Sequence, residues 1–192
     1  MVPCLVLGDS IAIGTATALP RCHTEAVVGI TSSAWVHRFG GHSSEAGFVV
    51  ISLGANDGAA THTKQTIKSL RSTVRACRVV WLLPAYPAQA REAIRIVAAA
   101  YGDRMVDTAP FAPPGGLHPS GRGYAAVAHE AENAMQRTIR ARIDRLGAQR
   151  THTVSMQIAR INSCGMASTY GMASSLNHTP GNHRTRGAAT RL

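Results

Sequence analysis

The fold turns on the stretch Met1-Val-Pro-Cys-Leu-Val-Leu-Gly-Asp-Ser-Ile-Ala-Ile-Gly14. Val2 to Leu7 is short, apolar and stopped abruptly by Gly8-Asp9-Ser10, after which a second apolar stretch begins at once. A run this short, closed by glycine, reads as a strand buried on both faces, and the residues after it as a helix. The chain must turn between them, and the turn carries a glycine, an acid and a hydroxyl.

Working outward, the same pattern repeats. Glu25 to Val28, Phe48 to Leu53, Arg78 to Leu83 and Arg104 to Asp107 are further short segments bounded by Gly, Pro or polar residues. Between them, Ile67, Leu70, Val74 and Cys77 recur at helical spacing, as do Ile94, Val97, Ala98 and Tyr101. From Ser120, which suits an N-cap, a last helix is expected to place Tyr124, Val127, Ala128, Ala131, Met135, Ile139 and Ile143 on one stripe. Strands alternating with helices predict a parallel sheet covered by helices on both faces, and in such sheets ligands bind outside the carboxyl ends of the strands. Polar clusters fall at those ends: Gly8-Asp9-Ser10, Gly29-Ile30-Thr31-Ser32, Gly54-Ala55-Asn56-Asp57-Gly58 and Gly116-Leu117-His118-Pro119-Ser120.

Bulk properties narrow the classes. At 192 residues the chain suits one domain plus a tail, and its 45% apolar content argues against disorder throughout. No apolar run approaches the roughly 18 residues of a membrane span. The N-terminus lacks the basic and long apolar regions of a secretory signal, so a cytoplasmic protein is expected. The cysteines, Cys4, Cys22, Cys77 and Cys164, lack C-x-x-C spacing and are expected to stay reduced, with Cys4 and Cys77 as small core residues and no metal site. The net charge of +10 raises nucleic-acid binding, yet residues 151–192 hold no acid, and the arginines before them are spread along helices. Nucleic acid is therefore not expected as a partner of the domain, whereas the basic tail could make non-specific contacts. The tail, 147–192, is patternless and polar and is expected to be disordered.

The clusters suit nucleophilic catalysis. A serine hydroxyl needs a base to accept its proton and donors to stabilise the oxyanion. Ser10 opens a helix, Asn56 can aim a side-chain N–H, Gly29 can offer an unobstructed backbone N–H, and His118, between Gly116 and Pro119, is the best-placed base. Asp9 and Asp57 are expected to hold the loops in register by accepting backbone N–H bonds. Trp35 is a candidate for the substrate pocket, with a core position as the alternative.

Gly8-Asp9-Ser10 with Gly14, then Gly29, then Gly54-Ala55-Asn56-Asp57, then Leu117-His118-Pro119 resemble, in order, the four blocks of the SGNH hydrolases, or GDSL-type esterases. The resemblance covers residues 4 to about 146, and the domain is taken as 1–146. It implies a flavodoxin-like three-layer α/β/α sandwich with a five-stranded parallel sheet, Ser10 as nucleophile, His118 as base, and an oxyanion hole from the Ser10 N–H, the Gly29 N–H and the Asn56 side chain. Small esters or acylated carbohydrates are the implied substrates, and no cofactor is implied. The family usually carries an acid three residues before the histidine, where this chain has Gly115. Asp107, closing the fifth strand, is the nearest candidate third member. A weakly catalytic or inactive carbohydrate- or ester-binding module on the same fold is the alternative.

Overall fold

A computed structural model of the protein describes residues 2–40, 44–60 and 62–148, with the side chains of the last helix as far as Gln136. The elements run β1 (Val2–Gly8), α1 (Ser10–Ala16), β2 (His23–Ala26), α2 (Ser32–Phe39), β3 (Ser44–Ser52), α3 (Thr63–Thr73), β4 (Val74–Leu83), α4 (Ala88–Tyr101), β5 (Arg104–Asp107), a short 3-10 turn (Ala109–Phe111) and α5 (Gly121–Ala148). All strand pairings are parallel and the order is β2-β1-β3-β4-β5. The three-layer α/β/α sandwich expected from the alternation is what forms.

Strand alternation divides the core into two layers. Leu5, Leu7, Val49, Ile51, Val79 and Trp81 point to the side covered by α2, α3 and α4, where Trp35, Ile67, Leu70, Ile94 and Val97 meet them. Val6, Phe48, Val50, Val80 and Leu82 point the other way, onto Ile11 of α1 and Val127, Ala128 and Ala131 of α5. Both faces of β1, β3 and β4 are thus covered, which explains why these strands read as continuous apolar runs. Ser120 accepts a hydrogen bond from the Gly123 N–H at 3.1 Å and caps α5 as expected. Ile139 and Ile143 lie beyond the described side chains; of the tail taken as 147–192, residues 147 and 148 close α5 and the rest lies outside the described residues.

Several local expectations are corrected. Val74 and Cys77 continue no helix: α3 stops at Thr73 and both residues belong to β4, whose β-branched start pairs with Ser44 on β3. The expected second strand slides two residues towards the N-terminus, to His23–Ala26. Tyr101 ends α4 exposed, with the Arg71 guanidinium 4.5 Å above its ring.

The cysteines differ most. Cys4 is buried, but it is joined to Cys22 in a disulfide, and Cys77 is exposed and also disulfide-bonded. The physical reason lies in the register. Leu5 pairs with His23 across β1 and β2, so the residues just before them, eighteen apart in sequence, stand side by side with Cα atoms 4.5 Å apart. Among the described residues, no helix is long and apolar enough to cross a membrane.

Candidate active site

The strand order reverses between β1 and β3: the chain leaves β1 for β2 on one side and returns to β3 on the other. Carboxyl-end loops diverge at such a point and leave a crevice. Ser10 follows β1, with Asp9 the only residue between strand and helix, and the Ala55-Asn56-Asp57 loop follows β3.

Ser10 Oγ lies 2.7 Å from His118 Nε2, across 108 residues of sequence. With the ring proton on Nδ1, the hydroxyl donates to Nε2, the geometry a general base needs. The loop bearing His118 is held at several points. Thr108 is buried and gives both its N–H and its hydroxyl to the Leu83 carbonyl, Ser120 N–H donates to Phe111 O, and the Tyr86 hydroxyl donates to Gly115 O at 2.8 Å. Sequence reasoning missed Tyr86 and Thr108. Their only local signal is a polar tip placed just after a strand end.

Among the described residues, His118 hydrogen-bonds Ser10 and no carboxylate. Asp107 makes no hydrogen bond to it among the described residues. Its carboxylate takes two bonds from Arg91, at 2.9 and 2.6 Å, and a third from the Ala109 N–H. These bonds, led by that of Arg91, hold its carboxyl below the usual range. Asp107 ends β5, the far edge strand, where Arg91 of α4 meets it. Of the two places open to Trp35, pocket or core, it takes the core. It is fully buried on α2, against Phe39, and its indole N–H donates to Glu25 O.

Asn56 donates from Nδ2 to Ile30 O at 3.1 Å, which ties the loop after β3 to the loop after β2 and, among the described residues, leaves its second N–H unused. Gly29 is exposed, with nothing within 4 Å of where a Cβ would stand. Asp57 holds the same two loops together, accepting from the Ser32 N–H and the Thr63 hydroxyl. A cavity of about 160 Å³ opens beside them, lined by Thr31, Ser33, Asp57, Ala60, His62 and Thr63.

Asp9 is completely buried. Its Oδ1 accepts from the Ile11 N–H at 2.9 Å and from the Ser52 hydroxyl at 3.0 Å, whereas Oδ2 has no partner at hydrogen-bonding geometry among the described residues. Burial raises its pKa from 3.8 to about 6, against the smaller opposing effects of those bonds, of the Ala12 N–H and, last, of His118. Between these values the folded chain holds a proton that the unfolded chain has released. Stability from this group is therefore greatest below pH 3.8 and falls as pH rises to about 6, by about 3 kcal/mol across the window. Urea unfolding of wild type and Asp9→Asn across this range should show the variant gaining on wild type as pH rises. A constant difference would contradict the raised pKa.

By sequence, no family model and no curated protein matches the chain. By structure, a carbohydrate acetylesterase from Sinorhizobium meliloti superposes with a TM-score of 0.51 at 13% identity, over 71% of this chain and 99% of that one. The C-terminal catalytic domain of a peptidoglycan O-acetyltransferase from Streptococcus pneumoniae superposes with 0.50 at 17%, over 70% and 92%. A protein assigned as an acylhydrolase from Bacteroides fragilis superposes with 0.51 at 18%, over 71% and 88%. The strand order, the placement of the loops and these likenesses agree: the chain has the fold of the SGNH, or GDSL-type, hydrolases.

Proposed function

We propose that the protein is a serine esterase that forms an acyl-enzyme on Ser10. The observation that carries this reading is the 2.7 Å contact between Ser10 Oγ and His118 Nε2, made at the strand-order reversal by residues from opposite ends of the domain. As Oγ attacks the ester carbonyl, Nε2 takes its proton. The oxyanion is stabilised by the Ser10 and Gly29 N–H groups and by the unused N–H of Asn56, the alcohol leaves with the proton from His118, and water hydrolyses the acyl group by the reverse transfers.

The substrate is a small ester with a short acyl group such as acetyl, carried on a carbohydrate. The site is shallow, because Ser10 is only partly buried, His118 is exposed and one residue separates β1 from α1. That one structural neighbour is a carbohydrate acetylesterase agrees with this choice. No cofactor enters the mechanism.

A fluorophosphonate probe, followed by peptide mapping, is expected to modify Ser10. Labelling elsewhere, or none, would leave the binding-module reading. Asn56→Ala should lower kcat about 10²- to 10³-fold with little change in KM, the cost of one oxyanion donor. Because the same side chain also bonds Ile30 O, the melting temperature is read alongside. A drop in Tm with kcat intact would assign Asn56 a purely structural part.

A further inference from the structure

His118 acquires a positive charge whenever it takes the Ser10 proton, and among the described residues no carboxylate bonds it. Asp107, the acid expected to do so, is held by Arg91. An imidazolium without a counter-charge is a weak point in a Ser-His pair, since holding the histidine and stabilising its charge is the third group's task.

One buried group is only half explained by its part in capping α1 and bracing Ser52. Asp9 is completely excluded from solvent, and its Oδ2 has no partner at hydrogen-bonding geometry among the described residues, although the Ala12 N–H also favours its ionised form. A loop brace would need only Oδ1, which already serves Ile11 and Ser52. A half-satisfied buried carboxylate is costly and rare in folded chains. It sits one residue from Ser10, whose hydroxyl touches His118.

We propose that Asp9 is the counter-charge of the Ser10–His118 pair, its buried carboxylate stabilising the imidazolium through space from behind the nucleophile. Asp9 is a positioning residue in this scheme: it touches neither substrate nor reacting atom, and no proton passes to it. The proton lost by Ser10 Oγ stays on His118 Nε2 until the alcohol takes it. The low-dielectric surroundings of Asp9 strengthen the attraction. Two titratable groups face Asp9. His118 lowers its pKa, and Tyr124 on α5 has its own hydroxyl pKa raised, first by burial and then by Asp9. The proposal rests on the esterase reading, and it adds a role that local sequence does not suggest, because the acid precedes the nucleophile instead of the base.

Two variants separate charge from architecture. Asp9→Asn keeps the Oδ1 acceptor and removes the charge. It should lower kcat for p-nitrophenyl acetate roughly 10- to 100-fold at near-constant KM, and move the acid limb of the kcat/KM profile to lower pH, by roughly one pH unit. Ser52→Ala keeps the charge and removes a bond that favours the ionised form, so the limb should move to higher pH. Limbs that coincide with wild type, or that shift in the same direction in both variants, would overturn the proposal. A carbon-13 titration of the Asp9 carboxyl reads the coupling without turnover: its midpoint should rise in His118→Ala, and an unchanged midpoint would overturn the proposal whatever the kinetics. Ester turnover that survives Ser10→Ala would sink the esterase reading alone, leaving the titration to decide the coupling.

Discussion

Ser10→Ala should abolish turnover of p-nitrophenyl acetate, with kcat falling at least about 10⁴-fold and the fold intact. The size follows from what the hydroxyl does. Without Oγ no acyl-enzyme forms, and His118 has no proton to take, so nucleophile and base fail together. For the same reason His118→Ala should cost nearly as much, and the double variant little more than either single one. The fold survives because Ser10 is only partly buried and caps nothing: the cap of α1 is the Asp9 side chain. Steady-state rates with a Tm measurement decide the matter, and equal rates in wild type and variant would remove Ser10 from catalysis.

Gly8→Ala should cost about 4 kcal/mol or more, a large part of the roughly 5–15 kcal/mol that holds a domain of this kind together. Gly8 ends β1 with φ +138, a conformation L side chains rarely adopt. A Cβ there would lie 1.7 Å from the Ser52 carbonyl oxygen, which is backbone of β3 and cannot rotate away. The same carbonyl accepts the Asp9 N–H at 3.0 Å, so pushing β3 aside also moves the turn that presents Ser10. Urea unfolding, or the loss of soluble folded protein, reads the effect. A destabilisation under about 1 kcal/mol would mean that the two strands separate more easily than their shared register implies.

Much of the architecture was legible because it is written in local patterns. Val2 to Leu7, Phe48 to Leu53 and Arg78 to Leu83 announced strands through short, mostly apolar runs closed by turn residues, and the last helix announced itself through the spacing of Val127, Ala128 and Ala131. Errors fell where two periodicities overlap. Val74 and Cys77 continue the helical spacing of Ile67 and Leu70, yet they are also the start of β4, and pairing with β3 settled the matter. Trp35 could serve either a pocket or a core by residue type alone. The hydrogen bond to Glu25 O and the packing on Phe39 settle it in the core.

What the sequence by itself determined is the set of strands, the clusters at their ends and, through those clusters, the residues to be compared. What only the tertiary structure decided is which of them are neighbours, because sheet order and register relate strands that sequence distance does not. Placing β2 against β1 joined Cys4 to Cys22. Placing β5 at the far edge gave Asp107 to Arg91, while the long loop beyond it carried His118 back to within 2.7 Å of Ser10. The same packing closed over Asp9 and left one carboxylate oxygen buried without a partner, a property of the surroundings that no local pattern around Gly8-Asp9-Ser10 encodes.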